Sequence, residues 1–319
     1  MRTGACIMKK WLRVTLKSIA AIMIAIVLFL AVVFVVNIIS SKSEQGKIES
    51  YGQLVPVDGK KMNVLIQGTG EETVVLLPGY GTGAPALDFK PLIDELSPHY
   101  TVVAVEPFGY GLSDGTDKER TNDNIASEIH EALQQLGIKR YTLMGHSIAG
   151  IYGLDYVNKY TDEVTAFVGI DSSVPTQGGM DAEMPIGLFK FLDNSGLMRM
   201  LKKLSGDPYA GLPYDDHTKQ QMKMISNKNS SNDTTMNEMK HFNDNFTAAQ
   251  ALAFPKELPL LLFIQANNTD VEGWQTLHEG QVKDSVHGKL IPLEGEHYLH
   301  HTLSKEIVQD YKEFMEQAK

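Results

Sequence analysis

Cysteine is almost absent from this chain of 319 residues, because Cys6 is the only one. A single cysteine excludes any disulfide within the chain. The stability of the folded part must therefore come from its core. A chain of this length can form one large α/β domain with an insertion or two small domains. Its composition, 43% hydrophobic and 21% charged, is that of an ordinary globular protein except near the N-terminus.

Charged residues are missing from Ser18 to Ser41, and Ile19–Ile39 is apolar apart from Asn37. As a helix these 21 residues would be about 32 Å long, against roughly 30 Å for the core of a bilayer. The pattern predicts a transmembrane anchor over residues 19–39, with a basic segment over 1–18 and a linker over 40–50. A buried core helix and a cleaved signal peptide are the alternatives. The apolar run is longer than a normal signal peptide requires, and no A-x-A-like site follows it.

Acidic residues are missing before the apolar run, where five cations occur: Arg2, Lys9, Lys10, Arg13 and Lys17. By the positive-inside rule the N-terminus lies in the cytoplasm and the body outside the cell membrane. The remaining chain has 24 basic and 39 acidic residues, a formal charge of −15. This charge argues against nucleic acid or other polyanionic partners and favours a body that stays off an anionic membrane surface.

Strand and helix patterns alternate through the body of the chain, residues 51–319. A hairpin is predicted at Asp58-Gly59, and buried strands at Thr73–Leu77, Tyr100–Val105 and Val164–Ile170. This alternation predicts an α/β fold with a mainly parallel sheet covered by helices on both faces. From about 174 to 254 the β pattern stops and the chain is helical and loop-like. We predict that this insertion is a helical cap over the carboxyl ends of the strands.

Gly145-His-Ser-Ile-Ala-Gly150 follows a short apolar run and precedes a helical pattern. A strand, a tight turn and a helix with a serine at the apex are typical of a nucleophile elbow, in which a strained backbone exposes the hydroxyl. Ala149 replaces the usual glycine of G-x-S-x-G. A serine needs a base within hydrogen-bond reach, and His297 follows the last predicted strand, where it can reach the strand ends.

Two further loops resemble those of the α/β-hydrolase superfamily. Pro78-Gly-Tyr-Gly81 is similar to its His-Gly oxyanion loop, and Glu106-Pro-Phe-Gly-Tyr-Gly-Leu-Ser113 resembles its D-x-x-G-x-G-x-S loop. The resemblance covers nearly the whole chain after residue 50. It implies the order serine, acid, histidine, with Ser147 as nucleophile and His297 as base. It also implies an oxyanion hole formed by the backbone N–H groups of Tyr80 and Ile148.

The acid of the triad has three candidates. In the family it usually follows the strand that corresponds to Leu258–Gln265, which favours Asp270, although the G-x-x-D register would put Thr269 at the acid position. We predict Asp270, with Glu272 and Asp171 as alternatives. Asp171 is also explained as a carboxylate that orients a loop.

The resemblance implies a membrane-anchored, capped serine hydrolase of the bacterial esterase and lipase kind, which cleaves a small carboxylic ester through an acyl-enzyme. The expected partners are a small ester or amide substrate and the lipid bilayer, and no cofactor or metal is needed. A metal set of His297, His300 and His301 is disfavoured because it lacks a convincing ligand geometry and a carboxylate partner. A peptidase or amidase of the same fold is one alternative, and a ligand-binding module without catalysis is another. A dinucleotide site at Gly79–Ala84 with Glu106 is a third, weaker alternative.

Overall fold

The computed structural model of the chain describes residues 2–180 and 184–318, with side chains from residue 11 onward. Eight strands form one sheet. They are β1 Gln53–Val57, β2 Lys60–Gln67, β3 Thr73–Leu77, β4 Thr101–Glu106, β5 Tyr141–His146, β6 Val164–Ile170, β7 Leu260–Gln265 and β8 Gly288–Leu293. The buried runs predicted as strands are thus confirmed.

The described residues form thirteen helices. They are α1 Arg2–Gln45, α2 Pro85–Asp88, α3 Lys90–Leu96, α4 Asn122–Gln135, α5 Ala149–Lys159, α6 Ile186–Asn194, α7 Leu197–Leu204, α8 Asp216–Asn229, α9 Asp233–Lys240, α10 Phe242–Ala249, α11 Trp274–Val282, α12 Leu299–Thr302 and α13 Ser304–Gln317. Three of them begin at a polar cap, because Thr121, Asp215 and Asn232 each accept a hydrogen bond from the backbone N–H three residues on.

The strand order is β1-β2-β4-β3-β5-β6-β7-β8. The β1–β2 hairpin turns at Asp58 and Gly59, which both have positive φ, as a tight two-residue turn requires. From β4 to β8 every neighbouring pair is parallel. Because β4 and β5 lie on opposite sides of β3, the direction of strand addition reverses at β3. In sheets of this type the crevice beyond the carboxyl ends of the strands at such a reversal is where ligands bind.

Helices cover both faces of the sheet. One face packs on α3 and α13 through a continuous core that includes Leu76, Leu92, Phe263 and Tyr311. On the other face α5 lies so close to β6 that a Cβ on Gly153 would be 2.3 Å from the ring of Phe167. The central strands are buried on both sides, which explains their almost continuous apolar sequence. The predicted α/β-hydrolase fold class is confirmed.

Between β6 and β7 the described residues form five helices, α6 to α10, and no strand. These helices occupy the part of the chain for which the cap is predicted. Asparagine side chains attach α8 and α9 to the loops after β3 and β4. Asn229 Nδ2 donates to the carbonyl oxygens of Gly83 and Gly111, at 2.9 Å each, and Asn232 Nδ2 donates to Gly109 O at 2.8 Å. These amide hydrogen bonds thus attach α8 and α9, a part of the predicted cap, to the loops at the carboxyl ends of β3 and β4.

The chain divides into two compact units, residues 1–47 with 187–208 and residues 48–186 with 209–319. In the first unit α1 is long and apolar enough from Trp11 to Gln45 to span a membrane, with a mean hydropathy of 3.4 over its most apolar stretch. The predicted linker begins at residue 40, but α1 continues through Gln45. In its last turns Ser41 and Glu44 bind Arg199 within the same unit.

Glu106 ends β4 and joins the loops around the carboxyl edge of the sheet. Its carboxylate accepts hydrogen bonds from Tyr51 Oη at 2.8 Å, Asn63 Nδ2 at 2.9 Å, and the backbone N–H groups of Ala86 at 3.2 Å and Leu112 at 2.8 Å. The group is completely buried, and burial raises its pKa although the four hydrogen bonds oppose this. Glu106, which replaces the aspartate of the D-x-x-G-x-G-x-S loop, therefore has a structural role, because its carboxylate is buried and accepts four hydrogen bonds within the protein.

A second buried acid, Glu128 on α4, pairs with Arg120. The distance from Arg120 Nη1 to Glu128 Oε2 is 2.6 Å, and both side chains are 1% exposed. We expect Glu128→Ala to lower the free energy of unfolding by about 3–5 kcal/mol, because it leaves a buried guanidinium without the carboxylate that is bonded to it. Denaturant unfolding of the full chain in detergent measures this loss.

The exposed pair of Lys90 and Asp94 supplies the control. Lys90→Ala should change the free energy of unfolding by less than about 1 kcal/mol, because water screens this pair. Similar losses of unfolding free energy in Glu128→Ala and Lys90→Ala would contradict the prediction that the buried pair stabilises the fold more than the exposed pair.

Candidate active site

Ser147 lies at the turn between β5 and α5, with φ at +55°, a conformation that side-chain-bearing residues rarely adopt. A Cβ on Gly145 would be 2.9 Å from the Cβ of Ala149, so the first glycine makes room for the methyl group. A Cβ on Gly150 would be 2.4 Å from the carbonyl oxygen of Ser173. The glycine that this turn requires after the serine is thus Gly150, which explains why Ala149 is tolerated.

Ser147, His297 and Asp171 form a hydrogen-bonded chain. His297 Nε2 is 3.0 Å from Ser147 Oγ, and His297 Nδ1 is 2.6 Å from Asp171 Oδ2. The Asp171 side chain is completely buried, whereas the His297 side chain is 45% exposed. The three residues follow β5, β8 and β6, so the sheet brings their loops to the same edge. The serine and the imidazole are therefore open to a ligand, and the carboxylate is not.

Asp171 is held by the neighbouring strand β7 and by the first residue of α11. Its Oδ1 accepts hydrogen bonds from the backbone N–H of Gln265 and from Trp274 Nε1, both at 2.8 Å. Its own N–H donates to Phe263 O at 2.7 Å, and its φ is +43°. A buried carboxylate is costly unless its oxygens are hydrogen-bonded, and here each oxygen has a donor. The side chain that faces His297 is thus fixed from several directions.

The prediction that Asp270 partners the histidine is contradicted, because the carboxylate bonded to His297 is that of Asp171. Asp270 and the alternative Glu272 are exposed, and Asp270 N–H donates to Asn268 Oδ1 at 3.0 Å. The reason lies in the strand order. Asp171 directly follows β6, which is the neighbour of β5, whereas Asp270 lies in the loop after β7, one strand further from Ser147.

The two N–H groups predicted for the oxyanion hole, those of Tyr80 and Ile148, belong to the loop after β3 and to the turn at Ser147. Gly79 approaches the turn so closely that a Cβ there would be 2.7 Å from His146 Nδ1 and 2.9 Å from Ser147 Cβ. Neither the Tyr80 N–H nor the Ile148 N–H donates to an acceptor within the part of the chain that the structure describes. These donors are therefore available beside the serine, and their role stays a prediction.

The Tyr80 side chain also connects this loop to α9. Its hydroxyl donates to Thr235 O at 3.1 Å. Beside it the buried Glu238 carboxylate accepts from Tyr110 Oη at 2.8 Å and Tyr152 Oη at 2.7 Å. Burial raises the pKa of Glu238. Nothing in the sequence pattern indicates this cluster, because its members come from four separate segments of the chain.

His146 is completely buried behind the turn. Its Nε2 is 3.2 Å from the carbonyl oxygen of His297, so a ring protonated at Nε2 donates to the loop that carries the base. Burial holds the pKa of His146 well below its usual value, and the neighbouring rings of His300 and His297 act in the same direction. His146 is thus a neutral side chain that supports the position of His297.

His300 and His301 do not join His297 in a metal set. Each donates from Nε2 to the buried Asp88 carboxylate, at 2.8 Å and 2.9 Å. Burial opposes ionisation of Asp88, but the two hydrogen bonds outweigh it and hold its pKa below the usual range. Asp88, His300 and His301 have candidate ligand atoms within 4.8 Å of one another, close enough for a metal ion. The observed hydrogen bonds already account for the cluster, and a metal would have to displace both ring protons.

The geometry does not fit a dinucleotide site at Gly79–Ala84. Glu106, the acid that would bind the ribose, is completely buried and carries four hydrogen bonds within the protein. The helix after the glycines is α2, which has only four residues and begins at Pro85. A pyrophosphate site requires the N-terminus of a helix directed at the phosphate and an acid open to the ribose.

Comparison with known proteins agrees with the architecture. A family model described as alpha/beta hydrolase fold matches residues 72–237. The uncharacterized protein YbdG of Bacillus subtilis strain 168 is 30% identical over 257 residues, which are 77% of this chain and 79% of that protein. A 2-hydroxy-6-oxo-6-(2'-aminophenyl)hexa-2,4-dienoic acid hydrolase of Metapseudomonas resinovorans is 27% identical over 180 residues, 56% of this chain and 59% of that protein.

Among solved structures, an epoxide hydrolase from Vigna radiata superposes with a TM-score of 0.64 at 16% identity, over 83% of this chain and 97% of that one. At this identity the likeness concerns the fold alone. The family model extends from β3 to α9 and includes the turn at Ser147. Together with the Bacillus subtilis relative, which matches most of both chains, it confirms the resemblance inferred from the sequence. The chain belongs to the α/β-hydrolase family.

Proposed function

We propose that the protein is a serine hydrolase that cleaves a small carboxylic ester through an acyl-enzyme intermediate. The observation that carries the proposal is the chain of two hydrogen bonds from Ser147 through His297 to the buried Asp171. Nucleophile, base and orienting acid are the three parts by which such a site is recognised, whatever their order in the sequence. The hydrolase relative from Metapseudomonas resinovorans supports the general reaction class.

In the proposed reaction Ser147 Oγ attacks the ester carbonyl carbon while His297 Nε2 takes the hydroxyl proton. Asp171 Oδ2 accepts a hydrogen bond from the Nδ1–H group of the ring, which fixes the tautomer and stabilises the imidazolium. The N–H groups of Tyr80 and Ile148 stabilise the negative oxygen of the tetrahedral intermediate. When the intermediate collapses, the alcohol leaves with the proton held by His297. A water molecule that gives a proton to His297 then attacks the carbonyl carbon of the acyl-enzyme. This second attack releases the carboxylic acid and regenerates Ser147.

Labelling with a fluorophosphonate tests the nucleophile. We expect the full chain in detergent to be labelled and Ser147→Ala to lose the label, because only a serine beside a base is activated enough to react. Ser285→Ala, which changes a serine far from the turn, should keep it. Initial rates with p-nitrophenyl esters of increasing chain length then describe the acyl site. Folded protein that takes no label would contradict the proposal and favour the ligand-binding module.

Replacing each acid separately tests the triad. Asp171→Asn keeps the size of the side chain but favours the wrong tautomer of His297, so kcat for an activated ester should fall on the order of 10³- to 10⁴-fold. Asp270→Asn and Glu272→Gln should leave kcat within about a factor of two, because both side chains are exposed and neither contacts the histidine. A larger loss with Asp270→Asn than with Asp171→Asn would refute the assignment.

We further propose that α1 is an uncleaved membrane anchor, with the N-terminus in the cytoplasm and the hydrolase body outside the cell. The apolar run and the five preceding cations support this orientation. A reporter enzyme that folds only outside the cytoplasm should be active when fused after residue 50 and inactive when fused after residue 17. A mature N-terminus near residue 40 would instead indicate a cleaved signal peptide.

A further inference from the structure

The outer part of α1 has one side that is partly covered. Most of its described side chains are exposed, and those that are not lie along a single stripe: Leu30, Val33, Asn37, Ser40, Ser41 and Glu44. They recur every three or four residues, so they share one face of the helix. Three of the six lie within the apolar run Ile19–Ile39. The stripe therefore continues from the apolar part of α1 into its polar end.

The α6–α7 segment, residues 187–208, covers this stripe. A Cβ on Gly196, between the two helices, would be 2.6 Å from Asn37 Cβ and 3.0 Å from Val33 O. Only glycine permits this approach, and its φ of +81° also favours glycine. Val33 lies six residues inside the end of the apolar run at Ile39, which corresponds to about 9 Å along a helix. The α6–α7 turn therefore meets α1 at the depth of its apolar part.

Arg199 on α7 connects the segment to the polar end of the stripe. Its Nε donates to Asn37 Oδ1 at 2.8 Å, its Nη1 contacts both carboxylate oxygens of Glu44 at 2.6 and 2.7 Å, and its Nη2 donates to Ser41 Oγ at 2.9 Å. An amide inside an apolar span is costly in a bilayer unless it is hydrogen-bonded, and Arg199 satisfies the oxygen of Asn37. The guanidinium thereby binds one residue of the apolar run, Asn37, and two polar residues that follow the run, Ser41 and Glu44.

The α6–α7 segment exposes large apolar side chains. Leu188 and Phe191 on α6 are 54% and 52% exposed, and Leu201 and Leu204 on α7 are 45% and 75% exposed. Each pair is three residues apart, on one face of its helix. Neither helix has a fully buried residue. Two short helices without a buried core gain little stability in water, and such an apolar surface is typical of a contact with lipid or protein.

We propose that the α6–α7 segment is embedded in the bilayer at the interface where α1 leaves it, with Leu188, Phe191, Leu201 and Leu204 among the acyl chains. The inference rests on the proposed anchor, because α1 carries the segment to that depth. Lipid is the expected partner because the α6–α7 turn contacts the apolar run itself, where a bilayer would surround α1. Lys202 and Lys203 follow Leu201 and suit a headgroup region, where long basic side chains extend towards water.

Depth-dependent quenching on the full chain tests the proposal. In a Cys6→Ser background, single cysteines are introduced by Leu188→Cys, Phe191→Cys, Leu201→Cys and Leu204→Cys and labelled with a fluorophore. The protein is reconstituted into phosphatidylcholine and phosphatidylglycerol vesicles with nitroxide-labelled lipid. Val27→Cys, in the middle of α1, reports the anchor, and Leu54→Cys, on the exposed side of β1, reports the water phase.

We expect nitroxides attached to the acyl chains close to the headgroups to quench the four α6–α7 labels. Nitroxides attached deep in the acyl chains should quench the Val27 label, and neither kind should affect the Leu54 label. Quenching at Val27 with α6–α7 labels that respond only to aqueous iodide would overturn the proposal and leave the anchor intact. Labels on α6–α7 that are shielded from both quenchers would also overturn it, because a second protein chain would then cover the segment. Absence of quenching at Val27 would refute the anchor and the inference with it.

Discussion

The contact between His297 and the buried Asp171 is the interaction on which the candidate site depends. It requires the end of β6 beside the end of β5, the loop after β8 folded back over both, and the indole of Trp274 directed at the other carboxylate oxygen. A carboxylate without water is stable there only because every oxygen has a donor. The strained backbone of Ser147 and Asp171 is tolerated because the parallel sheet holds both turns in place.

The loops beside the serine are organised by polar groups that take no part in the proposed chemistry. Glu106 joins the loop after β3 to the loop after β4, and His146 donates to the loop that carries His297. Tyr80 extends from the oxyanion loop to α9. Because Glu106 and His146 are buried, Tyr80 is partly buried and all three are hydrogen-bonded, their loss would leave unpaired partners and loosen the geometry of the site.

The first compact unit follows a different principle. Most of α1 exposes apolar side chains, whereas three of its polar residues, Asn37, Ser41 and Glu44, lie on one face and bind Arg199. A helix in water would show the opposite arrangement, with the apolar stripe covered and the polar side exposed. The covered polar face is where the proposed anchor contacts the α6–α7 segment. This segment lies between β6 and β7, more than a hundred residues later in the chain.

Local sequence determined much of this protein. The alternation of short apolar runs with helical patterns indicated the parallel sheet, and the crowded glycines around Ser147 indicated the strand–turn–helix. The uncharged run indicated a helix long enough for a membrane. Each of these features depends on neighbours within about twenty residues, whose periodicity and size are legible without knowing the rest of the fold.

Tertiary structure alone decided which carboxylate faces the histidine. Asp171 and Asp270 both follow predicted strands, and the usual position of the acid in the family favoured Asp270. The distinction arises because β6 is the neighbour of β5 and β7 is not. Likewise, Arg199 is an ordinary helical cation in the sequence and becomes the partner of Asn37 only when α7 lies on α1. Strand order and the pairing of distant helices depend on contacts far apart in the chain, which no local pattern encodes.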